Sequence, residues 1–225
     1  MAGAGRAQHG GGSITMEKIR DMVRRHSLKR GSPEVLSRSG HTGARFYDGN
    51  EAGYTTGRFA KLDRNYRRHC GPTAILNLIY TLASVEGIPV KEAPEAVFCH
   101  IARIGGRRLI YLNADFMKRF GGTSDFLAPV FIRSALKAYG ITGYKVRGPF
   151  PATAKRICAE LDKGAVLYLE VHGHPVYGSH HMLCYGYDLA DGRLMLRVAD
   201  GWINKIHELP AGEELFAFCT SIVRR

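Results

Sequence analysis

The sequence has few cysteines, five in 225 residues, and no two of them form a Cys-x-x-Cys pair. Their odd number and wide spacing argue against a disulfide framework and against a structural zinc site. We therefore expect a reducing compartment. We expect Cys70 to be the one reactive thiol and the other four to be small, buried apolar side chains: Cys99, Cys158, Cys184 and Cys219.

Long apolar runs are also missing. Residues 1–15 contain five glycines, and no apolar stretch follows Arg6, so this segment lacks the pattern of a secretory signal peptide. Nothing further along the chain reaches the roughly 20 apolar residues of a transmembrane helix. We predict a disordered tail over residues 1–15, no membrane span, and a soluble chain that is cytoplasmic or exported by a specialised route.

Acidic residues are scarce in the first third of the chain. Residues 1–69 hold 14 Lys and Arg against 6 Asp and Glu, whereas residues 70–225 hold 18 against 14. The positive charge therefore belongs mainly to an N-terminal appendage and suits an acidic partner through the basic residues 16–68. No motif that reads RNA or DNA accompanies the charge, so we do not expect nucleic acid as the partner.

We treat residues 16–64 as one basic arm. Its first part, residues 16–30, has the pattern of an amphipathic helix, with Met16, Ile19, Met22 and Val23 on one face. Its second part, residues 31–64, is rich in glycine, serine and arginine and is predicted to be irregular. The helix is interpreted as docked on the surface of the domain, and a pro-segment or a partner-docking helix is the alternative.

The segment around Cys70 has the pattern of a loop that enters a buried helix. Cys70-Gly71-Pro72 precedes an apolar run over residues 75–83, with apolar positions at helical spacing. Pro72 suits the first helical turn, where no backbone N–H is needed. Cys70 is therefore predicted at a helix N-terminus, where free N–H groups and the helix dipole favour the thiolate.

Two segments far downstream carry the groups that a reactive cysteine needs. A strand pattern contains His180 and His181, a turn signal follows at Asp191-Gly192, and a second strand pattern ends at Asp200. Strands paired through this turn would bring a histidine beside Asp200. A nucleophile at a helix start, a histidine on a strand and an acid after the next strand form the order of a Cys-His-acid triad.

Together these motifs resemble those of papain-like cysteine peptidases. The likeness rests on Cys70-Gly71-Pro72-Thr73-Ala74 at a helix start, on a histidine six residues before Gly186-Tyr187, and on Asp200-Gly201-Trp202 after the next strand. The chain is most similar to the bacterial subgroup that resembles the double-glycine leader peptidases, which process bacteriocins. The resemblance implies a papain-like catalytic domain over residues 65–225 and a thiol peptidase that needs no cofactor.

The order of the predicted elements fits that fold. Helices occupy the first half and strands the second, which is typical of an α+β fold with two lobes and a cleft between them. After the helix at Cys70, helices are predicted over residues 93–104, 126–139 and 153–162, and strands over residues 166–171, 180–189, 193–199 and 216–223.

The resemblance also assigns roles within the triad. The family register selects His180 as the base, and because successive strand residues face opposite sides, His181 is expected to point away from the cleft. Asp200 would orient the imidazole of His180, at a position where many relatives carry asparagine. Trp202, the single tryptophan, would shield the contact between His180 and Asp200 from water or belong to the core.

Further residues are expected to border the cleft. The family's oxyanion donor is a glutamine six residues before the nucleophile; Arg64 stands there, so Asn65 is the candidate donor beside the backbone N–H of Cys70. The residues expected to line the cleft and touch substrate are His69, His172, His174 and Tyr177. A zinc site among the histidines at 172–181 is the alternative, but the sequence places no acidic or cysteine partner at ligand spacing apart from Cys184, so we expect no metal.

These residues predict a cysteine peptidase that cleaves peptide or isopeptide bonds in a peptide or protein. Cys70 and His180 would form a thiolate–imidazolium pair, and the reaction would pass through an acyl-enzyme. Acyl transfer on the same fold, as in transglutaminase-like or N-acetyltransferase-like enzymes, is the alternative chemistry. A basic binding module with a degenerate triad, which would act through the arm at nucleic acid or an acidic surface, is the alternative from another class.

Overall fold

The computed structural model describes residues 54–60, 62, 66–116, 120–190, 193–211 and 216–225. Helices come first in this part of the chain and most strands follow, so the protein is an α+β protein with an antiparallel sheet. The helices are α1 (Thr56–Phe59), α2 (Cys70–Glu86), α3 (Pro94–Arg107), α4 (Ala128–Ala138) and α5 (Ala154–Leu161).

Helix α2 is the central helix and is buried along most of its length. Its apolar residues have almost no exposed surface, among them Ile75, Leu76, Leu78, Ile79 and Leu82. Gly87 ends the helix in the left-handed conformation, with φ 65°, and its N–H bonds to the carbonyls of the last turn. Burial and this C-terminal cap fix α2, and Cys70 is its first residue.

Two separate sheets contain all the strands in the described part of the chain. The strands are β1 (Tyr111–Phe116), β2 (Phe120–Thr123), β3 (Tyr144–Pro151), β4 (Val166–His174), β5 (Gly178–Ala190), β6 (Arg193–Ala199), β7 (His207–Pro210) and β8 (Phe216–Arg224). Strands β1 and β2 form a two-stranded sheet, and the other six form an antiparallel sheet in the order β3-β8-β4-β5-β6-β7. Strand β5 therefore lies inside the larger sheet, between β4 and β6.

Each face of the larger sheet carries its own hydrophobic core. One core joins α2, α3 and α4 to sheet residues that include Tyr168 and Leu183. The other core contains α5 and sheet residues that include Met182. Because consecutive residues of a strand alternate between faces, His181 belongs to the face that packs on α2, and His180 belongs to the opposite face.

The chain joins the folded body before residue 65. Phe59 in α1 is fully buried, and its ring stacks on Phe98 of α3 with centroids 4.4 Å apart. The backbone of Tyr54 forms two hydrogen bonds with the side chain of Asn77 in α2. Hydrophobic burial therefore begins at Phe59, ahead of the boundary predicted at residue 65. The predicted tail and the rest of the arm, residues 1–53, lie outside the described residues.

The structure confirms the helices and strands predicted after Cys70, with ends shifted by a few residues. Five elements were not predicted, namely α1, β1, β2, β3 and β7. All five cysteines are free, but Cys99 is half-buried and so departs from the buried state expected for it. None of the helices in the described part of the chain has the length and apolar character needed to cross a bilayer.

Candidate active site

A cleft of about 660 Å³ opens where the N-terminus of α2 meets β5. Its walls come from the approach to α2, from β2 and the loop after it, from the turn between β4 and β5, and from the loop after β6. Cys70 and His180, the predicted nucleophile and base, both line this cleft, as does Trp202. The fold therefore brings together residues that are far apart in the sequence.

The thiol of Cys70 lies among backbone N–H groups at the start of α2. Burial raises the pKa of Cys70 above the ordinary value, and the N–H groups of His181, Gly71 and Cys70 itself offset only part of that rise. The negative charge of Asp125 raises the pKa of Cys70 further. The helix N-terminus does favour the thiolate, as expected, but burial outweighs it, and the resting thiol is neutral.

Gly71 fixes the start of α2 against the neighbouring strands. A methyl group at Gly71 would overlap the hydroxyl of Thr123 in β2 and would lie 2.9 Å from the hydroxyl of Tyr168 in β4. Only a residue without a side chain allows the helix to approach both strands so closely. This close packing determines where Cys70 lies in the cleft.

His180 is a buried histidine whose tautomer the structure defines. Its Nε2 lies 2.6 Å from the backbone carbonyl oxygen of Asp200. Because a carbonyl oxygen only accepts, Nε2 carries the proton and Nδ1 holds the lone pair. Burial lowers the pKa of His180, and the carbonyl and charge of Asp200 offset only part of that fall. His180 is therefore a neutral imidazole with Nδ1 available to accept a proton.

Two aromatic rings cover His180. The ring of Tyr177 stacks on it with centroids 5.3 Å apart, and the indole of Trp202 meets it edge-on at 5.2 Å. Trp202 is 47% exposed, so it covers His180 from the solvent side and does not belong to the core. The shielding role predicted for Trp202 agrees with this position.

The carboxylate of Asp200 is engaged elsewhere, which corrects the expected side-chain contact with His180. Its Oδ1 accepts from the backbone N–H groups of Trp202 and Ile203 at 2.8 and 3.1 Å, and its Oδ2 accepts from the hydroxyl of Tyr177 at 3.0 Å. The side chain thus caps its own turn, as aspartate does before glycine. Asp200 orients the imidazole through its backbone carbonyl, and its carboxylate acts on His180 only through its charge.

Both histidines of β5 line the cleft, so the expectation that His181 would point away from it is wrong. The cleft lies near the start of β5, where residues from both faces of the sheet border the opening. The ring of His181 lies 5.3 Å from that of Tyr168, on the α2 face. Burial lowers the pKa of His181 to about 3, with smaller contributions from His180 and His172, so its ring is neutral.

Three of the remaining predicted residues line the cleft: His69, His172 and Tyr177. The Nε2 of His69 donates to the carbonyl of Thr56 at 2.8 Å, and the N–H of Thr56 donates to the carbonyl of Gly201 at 2.7 Å. His172 places its Nε2 2.7 Å from Oδ2 of Asp125. The approach to α2 and the loop after β6 are therefore joined through α1.

Two predicted site residues, His174 and Asn65, are absent from the described lining of the cleft. His174 does not belong to the described lining of the cleft; its Nδ1 accepts from the N–H groups of Val176 and Tyr177 in the turn between β4 and β5. It holds that turn, and its contact with substrate stays a prediction. Asn65, the predicted oxyanion donor, lies outside the described residues.

Sequence reasoning missed two acidic residues beside Cys70. Asp125 lines the cleft in the loop after β2, and Glu170 is fully buried on β4 directly opposite His181. Within the described residues, Asp125, Glu170 and His181 form the one group of side chains that could hold a metal ion. The sequence did contain one signal, the single glutamate inside the apolar run Val166–Val171, because a buried carboxylate is costly unless a partner compensates for it.

The site combines a thiol, an imidazole with a defined proton acceptor, and backbone N–H groups at a helix start. These are the parts of nucleophilic acyl chemistry, in which a thiol attacks a carbonyl and a base moves the proton.

Neither a protein-family model nor a curated protein sequence matches the chain.

Proposed function

We propose that this chain is a cysteine peptidase with a papain-like arrangement of two lobes, in which Cys70 is the nucleophile and His180 the base. The observation that carries the proposal is the 2.6 Å contact between Nε2 of His180 and the carbonyl of Asp200. It leaves Nδ1 of His180 as the ring nitrogen that can accept a proton, and His180 and Cys70 line the same cleft. The helical layer around α2 and the larger sheet would be the two lobes.

The reaction begins from a neutral pair. Nδ1 of His180 takes the thiol proton as Sγ of Cys70 attacks the scissile carbonyl carbon, so no resting thiolate is required. The oxyanion of the tetrahedral intermediate accepts from the backbone N–H of Cys70, because N–H groups in the first helical turn lack an intrahelical acceptor. The imidazolium of His180 then gives its proton to the leaving amine, and a thioester remains.

Hydrolysis completes the cycle. His180, neutral again after the amine has left, takes a proton from water, and the resulting hydroxide attacks the thioester carbonyl. The second tetrahedral intermediate expels the thiolate of Cys70, which regains its proton from the imidazolium. The products are an amine and a carboxylic acid, and no external reductant, oxidant or cofactor is consumed.

The shape of the cleft suits a peptide. Its volume of about 660 Å³ is within the usual range of roughly 300–1,000 Å³ for ligand sites. Gly121 and Gly122 form part of one wall without side chains, so an extended peptide backbone has room to approach that wall. Trp202, which is 47% exposed, adds apolar surface to the lining of the cleft, where substrate side chains would pack.

Labelling with a vinyl-sulfone or epoxide thiol trap near neutral pH, followed by peptide mass spectrometry, tests the activated pair. We expect Cys70 to react faster than Cys99, a half-buried thiol that lies outside this cleft and serves as an internal reference. In His180→Ala the rate at Cys70 should fall by roughly a hundredfold or more. His100→Ala is the matched control, because His100 bonds to Tyr139 and does not line the cleft.

Equal labelling of Cys70 in the wild type and in His180→Ala, with the fold intact by circular dichroism, would contradict the proposal. A positive result leads to a peptide library, where Cys70→Ala should abolish cleavage. Added primary amine in the same assay separates hydrolysis from acyl transfer, because a transferase would yield the amide of the amine and a peptidase mainly the free acid.

A further inference from the structure

A group of two carboxylates and one imidazole lies on the α2 face of the larger sheet. One ligand atom each from Asp125, Glu170 and His181 lie within 4.8 Å of one another. Glu170 on β4 and His181 on β5 are cross-strand partners in the β4–β5 register, and Asp125 reaches them from the loop after β2. Rigid strands therefore set the positions of two of the three groups.

The carboxylate of Glu170 has no partner that explains its burial. The residue is fully buried, and neither Oε1 nor Oε2 has a hydrogen-bond partner among the described residues. Burial raises the pKa of Glu170 to about 8, and the nearby charge of Asp125 adds to that rise. A buried acid without a donor is costly, and a bound cation would give the carboxylate of Glu170 the partner that it lacks.

His181 is in the state that a metal-binding imidazole requires. Its buried Nδ1 has no hydrogen-bond partner among the described residues, so this nitrogen can give its lone pair to an ion. The ring also bonds to the backbone of Thr123. Ligating histidines usually donate their second nitrogen to a carbonyl or carboxylate in this way, which fixes the orientation of the ring.

Asp125 connects the group to solvent. Its Oδ2 is held 2.7 Å from Nε2 of His172, and its Oδ1 lies 3.8 Å from Nε2 of His181. The side chain is 18% exposed and lines the cleft, so an ion can reach the group without opening the core. The contact with His172 orients the carboxylate from outside the group, as supporting residues do around metal sites.

We propose that Asp125, Glu170 and His181 bind a divalent transition-metal ion, with zinc as the best fit. Two carboxylate oxygens and one imidazole nitrogen are a donor set that suits zinc, and three protein ligands leave a fourth position open for water. Calcium would need six or more oxygen ligands, which the group does not supply. Zinc bonds of about 2.0–2.2 Å place tetrahedral donors about 3.3–3.6 Å apart, so the three ligand atoms must move closer together, which rotation of the Asp125 side chain allows.

This site borders the same cleft as Cys70, but its proposal does not depend on the peptidase chemistry. The bound ion would add positive charge on the side of Cys70 where Asp125 now places negative charge. It would therefore favour the thiolate of Cys70, although the proposal is tested by binding alone.

The experiment is titration of the full-length, chelator-treated chain with zinc chloride by calorimetry. We expect one ion per chain with a dissociation constant in the micromolar range or tighter. Glu170→Gln keeps the shape of the side chain and removes its charge, and it should weaken binding by roughly tenfold to a hundredfold or more. Asp125→Asn, on a partly exposed residue, should do the same if Glu170→Gln does not fold.

Two controls separate this site from other zinc-binding groups. Asp188→Asn makes the same chemical change at a carboxylate of β5 that pairs with Arg197 and lies outside the cleft, and it should leave binding unchanged. Cys70→Ser should retain zinc, and cobalt added in place of zinc should give no thiolate-to-metal absorption band. No binding to the wild type, binding unchanged in both Glu170→Gln and Asp125→Asn, or binding lost in Cys70→Ser would each overturn the proposal.

Discussion

Asp200→Asn is the substitution that best distinguishes the observed geometry from a triad built on a carboxylate. The hydrogen bond from His180 ends on the backbone carbonyl of Asp200, and no change of side chain removes that acceptor. The asparagine oxygen can still accept from the N–H groups of Trp202 and Ile203, as Oδ1 does now. Its amide nitrogen takes the place of Oδ2 and can donate to the hydroxyl of Tyr177. The variant therefore removes a charge and keeps the tautomer of His180.

The size of the effect follows from that charge. At an effective dielectric constant of about 20 and a separation of roughly 6–8 Å, a carboxylate stabilises an imidazolium by about 2–3 kcal/mol. The reactive ion pair of Cys70 and His180 should then be about 30-fold to 150-fold less populated in Asp200→Asn. A carboxylate that held the tautomer directly would instead be worth about 10,000-fold, as in serine-protease triads.

The assay is the rate of alkylation of Cys70 by iodoacetamide, read by mass spectrometry with Cys99 as the internal reference. It needs no knowledge of the natural substrate. Asp188→Asn, the same chemical change on an ion-paired carboxylate outside the cleft, should react at the wild-type rate. A loss of about 10,000-fold in a folded Asp200→Asn protein would refute the backbone-carbonyl geometry, and no loss at all would refute the role of its charge.

Three further predictions concern the surroundings of the site and the stability of the fold. Gly71→Ala should slow labelling of Cys70 at least about tenfold and lower the free energy of unfolding by about 1–3 kcal/mol, because the added methyl overlaps Thr123. Tyr177→Phe keeps the stacked ring but loses the hydroxyl contacts to Asp200 and to Nε2 of His207, so the labelling rate should fall by no more than about tenfold; a larger loss would mean that the hydroxyl has a role beyond these two contacts. Burial alone would raise the pKa of Glu160, but hydrogen bonds from Lys163 and Ser221 and the charge of Arg147 give it a net fall. Glu160→Gln should therefore be less stable than the wild type by about 1–3 kcal/mol at pH 7 in urea unfolding. That difference should shrink as the pH falls below about 4, because the unfolded chain takes up its proton there while the folded carboxyl, with its lowered pKa, takes up a proton only at lower pH; the same difference at pH 3 would contradict the assigned ion pairs.

The fold was predictable where local patterns are strong. The apolar spacing after Cys70 and the β-rich runs after residue 165 predicted α2 and the centre of the larger sheet, because burial there follows the helical and strand periods. The β1–β2 hairpin escaped prediction because β2 is Phe-Gly-Gly-Thr, in which two glycines carry no hydrophobic pattern. Strand β3 escaped prediction because it contains Gly148-Pro149 and ends at Pro151, and these residues usually indicate a break in a strand. Proline is tolerated there because β3 is an edge strand.

The site was predictable only as far as motifs extend. Neighbouring residues marked Cys70, His180 and Asp200, but which atom of Asp200 meets His180 depends on the turn after β6, where the carboxylate bonds to its own backbone. The Asp125 and Glu170 pair depends on the register of β4 against β5 and on the loop after β2, which no local spacing encodes. Tertiary contacts, and not propensities, set these distances.

Thr56 connects the two sides of the cleft through its backbone. One residue ties the nucleophile side to the Asp200 side, since its N–H holds Gly201 and its carbonyl holds His69. Thr56 therefore bridges the approach to α2 and the loop after β6, and a displacement of the chain at Tyr54 would move both walls of the cleft together. Deletion of residues 1–60 would remove Thr56 along with the basic arm, so a fall in activity would report the loss of this bridge across the cleft. A deletion meant to reveal an inhibitory pro-segment must therefore stop before Tyr54.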